Sequence, residues 1–92
     1  MSVRPSIEEV WRRIESLEGE RFHTITGKSF SYIINGNVLR TNRAAQDFSL
    51  SEFNKALQLV PLSGPGQINS IVRGPAYIWA ILHDRRIRQG DW

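Results

Sequence analysis

The segment GERFHTITGKSFSY, Gly19 to Tyr32, contains the run Thr26-Gly27-Lys28-Ser29, which has the letters of the tail of a phosphate-binding loop. Such a loop folds backbone amides around phosphates. It needs a glycine five positions before the Gly-Lys-Ser, and it joins a strand to a helix. Here the earlier position is Phe22, and the residues after Ser29 alternate as a strand. Both requirements fail. Gly27-Lys28 therefore reads as a β-turn, glycine supplying a backbone angle that other residues avoid and lysine keeping the turn in water.

Other catalytic chemistry is no better arranged. His83-Asp84 falls late in a helical stretch and His23 in a strand-like one. Adjacent helical side chains diverge by about 100°, so His83 and Asp84 do not converge on an ion, and a metal site needs three or four ligands that do. With no cysteine, disulfides and thiolate sites are excluded. The serines lie in no nucleophile elbow, and no base is paired with an orienting carboxylate. The glutamate pairs Glu8/Glu9 and Glu15/Glu18 read as the wet face of an amphipathic helix. The expectation is a protein that is not an enzyme, with no catalytic residue, metal or cofactor.

Charge is more informative. Ten of the twelve basic residues are arginine and the net charge is +3. Residues 1–20 are net acidic, whereas 21–50 and 51–92 are net basic. Guanidinium groups bind phosphate bidentately, which lysine cannot do. Lys28, Arg40, Asn42 and Arg43 are expected to form one charged rim; Arg73, Arg85 and Arg86, with Arg88, form a second. Gln67 to Arg85 can be drawn as a helix–turn–helix, but Tyr77, Ile78 and Trp79 would then stand where base-reading side chains belong. The leading expectation is a DNA- or RNA-backbone contact rather than sequence reading, through Lys28, Arg40, Arg43, Arg73, Arg85 and Arg86, with Asn42 adding a hydrogen bond. The alternative is a protein-interaction or homo-oligomerisation module using the apolar run near Tyr77–Leu82 and an uncovered sheet edge.

The elements that must carry these residues follow from periodicity. Ser6 and Glu9 have capping-box spacing, and Ile7, Val10, Trp11, Ile14 and Leu17 form one helical stripe ending near Gly19. Phe22, Thr24 and Thr26, then Phe30, Tyr32 and Ile34, alternate as two strands. Asn35-Gly36 is a hairpin signal of the type I′ kind, and Val38 to Thr41 completes an expected three-stranded meander whose Phe22/Phe30/Tyr32 face is covered by helices. Ser49 and Glu52 open a second helix that closes at Pro61. A short helix is expected over Gln67–Arg73, and Pro75 starts a last one that carries Arg85, Arg86 and Arg88 at its C-terminal end, where cations suit the helix dipole. Trp11 and Trp79 read as core. The order α-β-β-β-α-α-α predicts a single α+β domain over residues 1–92. The first twenty residues lack the apolar run of a signal peptide, and no apolar stretch reaches the roughly 20 residues of a membrane span. A cytoplasmic setting without membrane contact is expected.

The segments GERFHTITGKSFSYIINGNVLRTNR, FSLSEFNKALQLVPLSGPGQIN and VRGPAYIWAILHDRRI together resemble a small uncharacterised bacterial domain family associated with restriction and phage-defence proteins. The resemblance covers about Gly19 to Ile87. It implies a self-contained cytoplasmic module with a nucleic-acid role, and it transfers no catalytic residue.

Overall fold

A computed structural model of the chain describes residues 4–92. Helix α1 (Ile7–Ser16) begins at Ser6, whose hydroxyl accepts the Glu9 amide at 3.2 Å and satisfies one of the amides a helix start leaves unpaired. The Glu9 carboxylate completes no box. It turns instead to Arg12 and Arg13. Val10, Trp11 and Ile14 bury the predicted stripe.

The chain then departs from the expected meander. Strand β1 (Phe22–His23) pairs only with β2 (Ser29–Phe30), as a separate two-stranded sheet. The first strand stops at Thr24 because that residue closes a tight turn. The Thr24 amide donates to the Lys28 carbonyl at 2.9 Å, its carbonyl accepts Gly27 N–H at 2.9 Å, and its hydroxyl accepts Lys28 N–H at 3.1 Å. Gly27 takes φ +88°, the left-handed position that ends a three-residue hairpin loop. Gly27-Lys28 is thus a turn, as predicted, and no helix follows it.

Ser31 is where the chain changes partner. Its amide donates to Asn42 Oδ1 at 3.0 Å and its carbonyl accepts the Asn42 amide at 3.1 Å. Beyond it, β3 (Tyr32–Asn35) pairs with β4 (Val38–Thr41), and β4 with β5 (Asp47–Ser49), all antiparallel. The three-stranded sheet is therefore β3-β4-β5, its third strand supplied by Asp47–Ser49 rather than by the Phe22 segment. The loop between β3 and β4 is Gly36-Asn37, and of these two Gly36 alone has positive φ, at +63°. That is the type II′ pattern with glycine first, not type I′. Trp11 Nε1 donates to the Gly36 carbonyl at 3.2 Å, fixing this hairpin against α1.

Helix α2 (Leu50–Leu57) carries the complete capping box of Ser49 and Glu52 and ends a turn earlier than Pro61. The short helix expected over Gln67–Arg73 is a 3₁₀ turn over Pro65–Ile68. Helix α3 (Pro75–Leu82) starts at its proline as predicted, but it ends at His83. Asp84 then caps a separate one-turn helix, α4 (Arg85–Arg88). Arg85, Arg86 and Arg88 consequently belong to a new helix and do not complement the C-terminus of α3. Among the described residues the result is an α+β fold of four helices with two small antiparallel sheets. Among the described residues no helix is long and apolar enough to cross a membrane.

The core is a continuous aromatic path. Phe22 meets Phe30 and Tyr32, Phe30 meets Tyr77 edge-on at 5.1 Å, and Tyr77 meets Phe48 at 6.0 Å. This path joins both sheets to α3, whose Ile78, Ala80, Ile81 and Leu82 are buried. Gly74 brings α3 to the sheet: its φ is +61°, and a Cβ there would lie 2.3 Å from Phe48 Cζ. Gly74→Ala combines left-handed strain with a collision against a fully packed ring. It is expected to destabilise the fold by about 2–4 kcal/mol, read as a drop in denaturant midpoint at unchanged slope. Gly66→Ala, where nothing lies within 4 Å of the added methyl, serves as the control.

Candidate functional site

The residues that matter lie where β1, α3 and α4 meet. A cleft of about 490 Å³ is lined by Arg21 and His23 at β1, by Trp79 and Ala80 of α3 with its cap residue His83, and by Asp84, Arg85 and Arg86 at α4. Neither β1 nor α4 holds itself. A two-residue strand and a one-turn helix are each too short to persist alone.

Arg86 fastens them. Its guanidinium donates to Asp84 Oδ1 at 2.9 Å and Oδ2 at 3.0 Å, and reaches across to the Arg21 carbonyl at 2.8 Å. Its Cζ stands 4.4 Å over the Phe22 ring centre, and Glu20 lies 3.9 Å away. Burial acts to raise the Asp84 carboxyl, but the Arg86 side chain and amide outweigh it and hold the group below the ordinary aspartate range. The buried Ile87 anchors α4 from beneath, where its carbonyl accepts Arg13 of α1 at 2.8 Å.

With Arg86 so engaged, the exposed cations of the cleft are Arg21 and Arg85. Neither makes an ion pair among the described residues. Their backbones are fixed while their side chains face water.

His83 is not a chemical group in waiting. Its Nε2 accepts the Leu62 amide at 3.0 Å, and Nδ1 lies 3.2 Å from the Trp79 carbonyl. Together these contacts define a neutral ring with the proton on Nδ1. Burial pushes the His83 pKa down; the Trp79 carbonyl opposes this and Arg88 adds to it. Trp79, which the sequence assigns to the core, is only partly buried and stacks on His83 at the edge of the cleft. Among the described residues no group of three or more metal-ligating side chains converges.

The cleft continues along the surface. Arg21 also borders a hollow of about 180 Å³ with Ser29, Ser31 and Asn42. Ser31 and Asn42 lead to another of about 180 Å³ that includes Ile33 and Arg40. Those two in turn border one of about 330 Å³ with Asn35, Val38 and Asp47. Shared walls make these hollows one track running from α4 to the outer face of β3-β4-β5.

The residues predicted to bind distribute along this track unevenly. Arg40 is closed by a two-pronged pair with Asp47, at 2.8 and 3.1 Å. Arg73 does not join Arg85 and Arg86 in a second rim. Both its amide, at 3.1 Å, and its Nε, at 3.2 Å, go to Glu52 Oε1 at the start of α2. Glu52 is 8% exposed. Burial works to raise its carboxyl, but the Ser49 amide and the Arg73 amide and guanidinium overcome this and hold it low. The Arg40 side chain holds the Asp47 carboxyl below its ordinary range, with a smaller contribution from Arg73. Asn42 is exposed but its Oδ1 is committed to Ser31. Arg43 donates Nε to the Ser29 carbonyl at 2.5 Å, and Lys28 is exposed in the adjoining turn. Arg21 is not among the residues the sequence nominates for binding, while His23 is placed there in a strand and Trp79 in the core. Arg21 immediately precedes the buried Phe22, and that alternation of exposed and buried positions is the signal that marks it.

Comparison with protein-family models, curated proteins and solved structures finds no match for the chain.

The His83 geometry gives a stability profile. The native ring resists a proton that the unfolded chain accepts near pH 6.5, so stability is full above that pH and falls as the pH drops through it. Asp84 and Glu52, both lowered, add their loss below their ordinary values of 3.8 and 4.5. Denaturant titrations across pH should therefore show an acid-side decline that begins well above the carboxylate range. His83→Gln should remove that first phase and leave the second.

Proposed function

We propose that the chain is a non-enzymatic module that holds a nucleic-acid backbone along the track from α4 to β4. The observation that carries this reading is the pair Arg21 and Arg85. They are two exposed guanidinium groups that line one cleft, and neither forms an ion pair with a carboxylate among the described residues. Lys28 and Arg43 extend the positive charge along the track. Arg40 and Arg86 act differently: each is neutralised by Asp47 or Asp84 and builds the wall rather than supplying net charge, while Arg73 is paired with Glu52 and lines none of the hollows. Phosphate contacts require exposed cations with little else to bind, and these positions meet that need. The reading implies action in the cytoplasm.

Binding of duplex and single-stranded oligonucleotides should weaken linearly in log Kd against log salt. Arg21→Ala and Arg85→Ala should each reduce the slope by about 0.7–0.9, the share of one phosphate contact. Lys55→Ala, exposed on α2 away from the track, should leave it unchanged. Absence of binding to either form at low salt rejects the proposal.

Self-association is the second reading. It is favoured by Ile33, 55% exposed, and Val38, 37% exposed, which both border the hollow on the outer face of the sheet. The apolar helix that the sequence offered for this purpose buries Ile78, Ala80, Ile81 and Leu82 against the protein's own elements, leaving only Tyr77 and Trp79 partly exposed from that apolar run. A sedimentation coefficient independent of concentration would remove this reading.

A further inference from the structure

The cleft contains an aromatic feature that backbone binding does not use. The Trp79 and His83 rings lie 5.1 Å apart between centres and 12° from parallel, and both line the cleft. Their polar atoms are occupied from within: Trp79 Nε1 donates to the Leu62 carbonyl at 3.2 Å, and His83 uses both nitrogens on backbone groups. What this pair offers a ligand is therefore π-surface, not hydrogen bonds. Such a surface takes any base and reads none. Its cationic neighbours are Arg21 and Arg85; Asp84, the carboxylate of the cleft, is already bound by Arg86. The volume of about 490 Å³ lies in the range of small-molecule sites, about 300–1,000 Å³.

We infer that the cleft receives one nucleotide unit of a single strand, the base extending the Trp79–His83 stack and the flanking phosphates meeting Arg21 and Arg85. The inference rests on the backbone-binding reading and sharpens it. In a duplex the bases are already stacked on one another and cannot enter, so the site selects single strands. The remaining track, with Ser29, Ser31 and Asn42, carries the neighbouring sugar-phosphates.

The test uses the intact chain and three probes of equal length: an oligothymidylate, an abasic deoxyribose-phosphate strand and a duplex. They compete against a labelled single strand at one low salt concentration. The oligothymidylate should outcompete the abasic strand by about tenfold, as the loss of one stacked base predicts. It should also outcompete the duplex and quench part of the tryptophan emission. Trp79→Phe should lose the quench, and Arg21→Ala should weaken base-bearing and abasic strands alike. The competition among probes needs no variant, so it stands if Trp79→Phe does not fold. Equal affinity for abasic and base-bearing strands overturns the stacking inference and leaves backbone binding intact, as does duplex binding as tight as single-strand binding. If no probe binds, both fail together.

Discussion

Arg86 ties together two short elements that lie far apart in the sequence. Its guanidinium bonds to the Asp84 cap of its own helix and to the Arg21 carbonyl 65 residues earlier, and it covers the Phe22 ring. Helix α4 is a single turn and β1 only two residues, so neither supplies its own stability. The Arg86 contacts, with Ile87 buried beneath, hold the two at a fixed separation. Arg21 and Arg85 both line the cleft that results. The buried aromatic path from Phe22 to Phe48 continues this constraint inward, and Gly74 lets α3 close against it.

A division of labour among the basic residues follows. Arg13, Arg40, Arg73 and Arg86 each meet a carboxylate, and in these pairs the guanidinium orients backbone and strand edges. Exposed pairs of this kind contribute little to stability individually, so their value lies in positioning. Lys28, Arg21 and Arg85 lack such partners among the described residues, and their charge faces solvent. Of the acids, Glu8, Glu9 and Glu15 lie in α1, Asp47 and Asp84 are paired with Arg40 and Arg86, and Glu20 lies 3.9 Å from Arg86, so the charge along the track depends on these pairings rather than on the net +3.

Much of the fold was legible in the sequence where a local signal had a local cause. The α1 stripe, the Ser49–Glu52 box, Pro75 at a helix start and the Gly27 turn all formed where expected. The meander failed for a non-local reason. Alternation continues unbroken from Phe30 to Tyr32, yet the pairing partner switches at Ser31 through hydrogen bonds to Asn42, eleven residues away. Strand β5 has only Phe48 buried among its three residues, too little pattern to register. The candidate site was half legible. Arginine content pointed to a charged surface, but which guanidinium groups stay exposed depends on Asp47, Glu52 and Asp84, and composition cannot assign those partners. Trp79 was misplaced because an apolar helix hides which of its faces reaches water.

The proposed binding surface acts as a unit. Backbone amide and arginine side-chain NMR signals followed during titration with a short single-stranded oligonucleotide test this most directly. The prediction is that perturbations concentrate on Arg21, His23, Ser31, Asn42, Arg43 and Arg85, with α2 unaffected. Perturbations confined to α2, or scattered over all faces with no continuous path through Arg21, would contradict it.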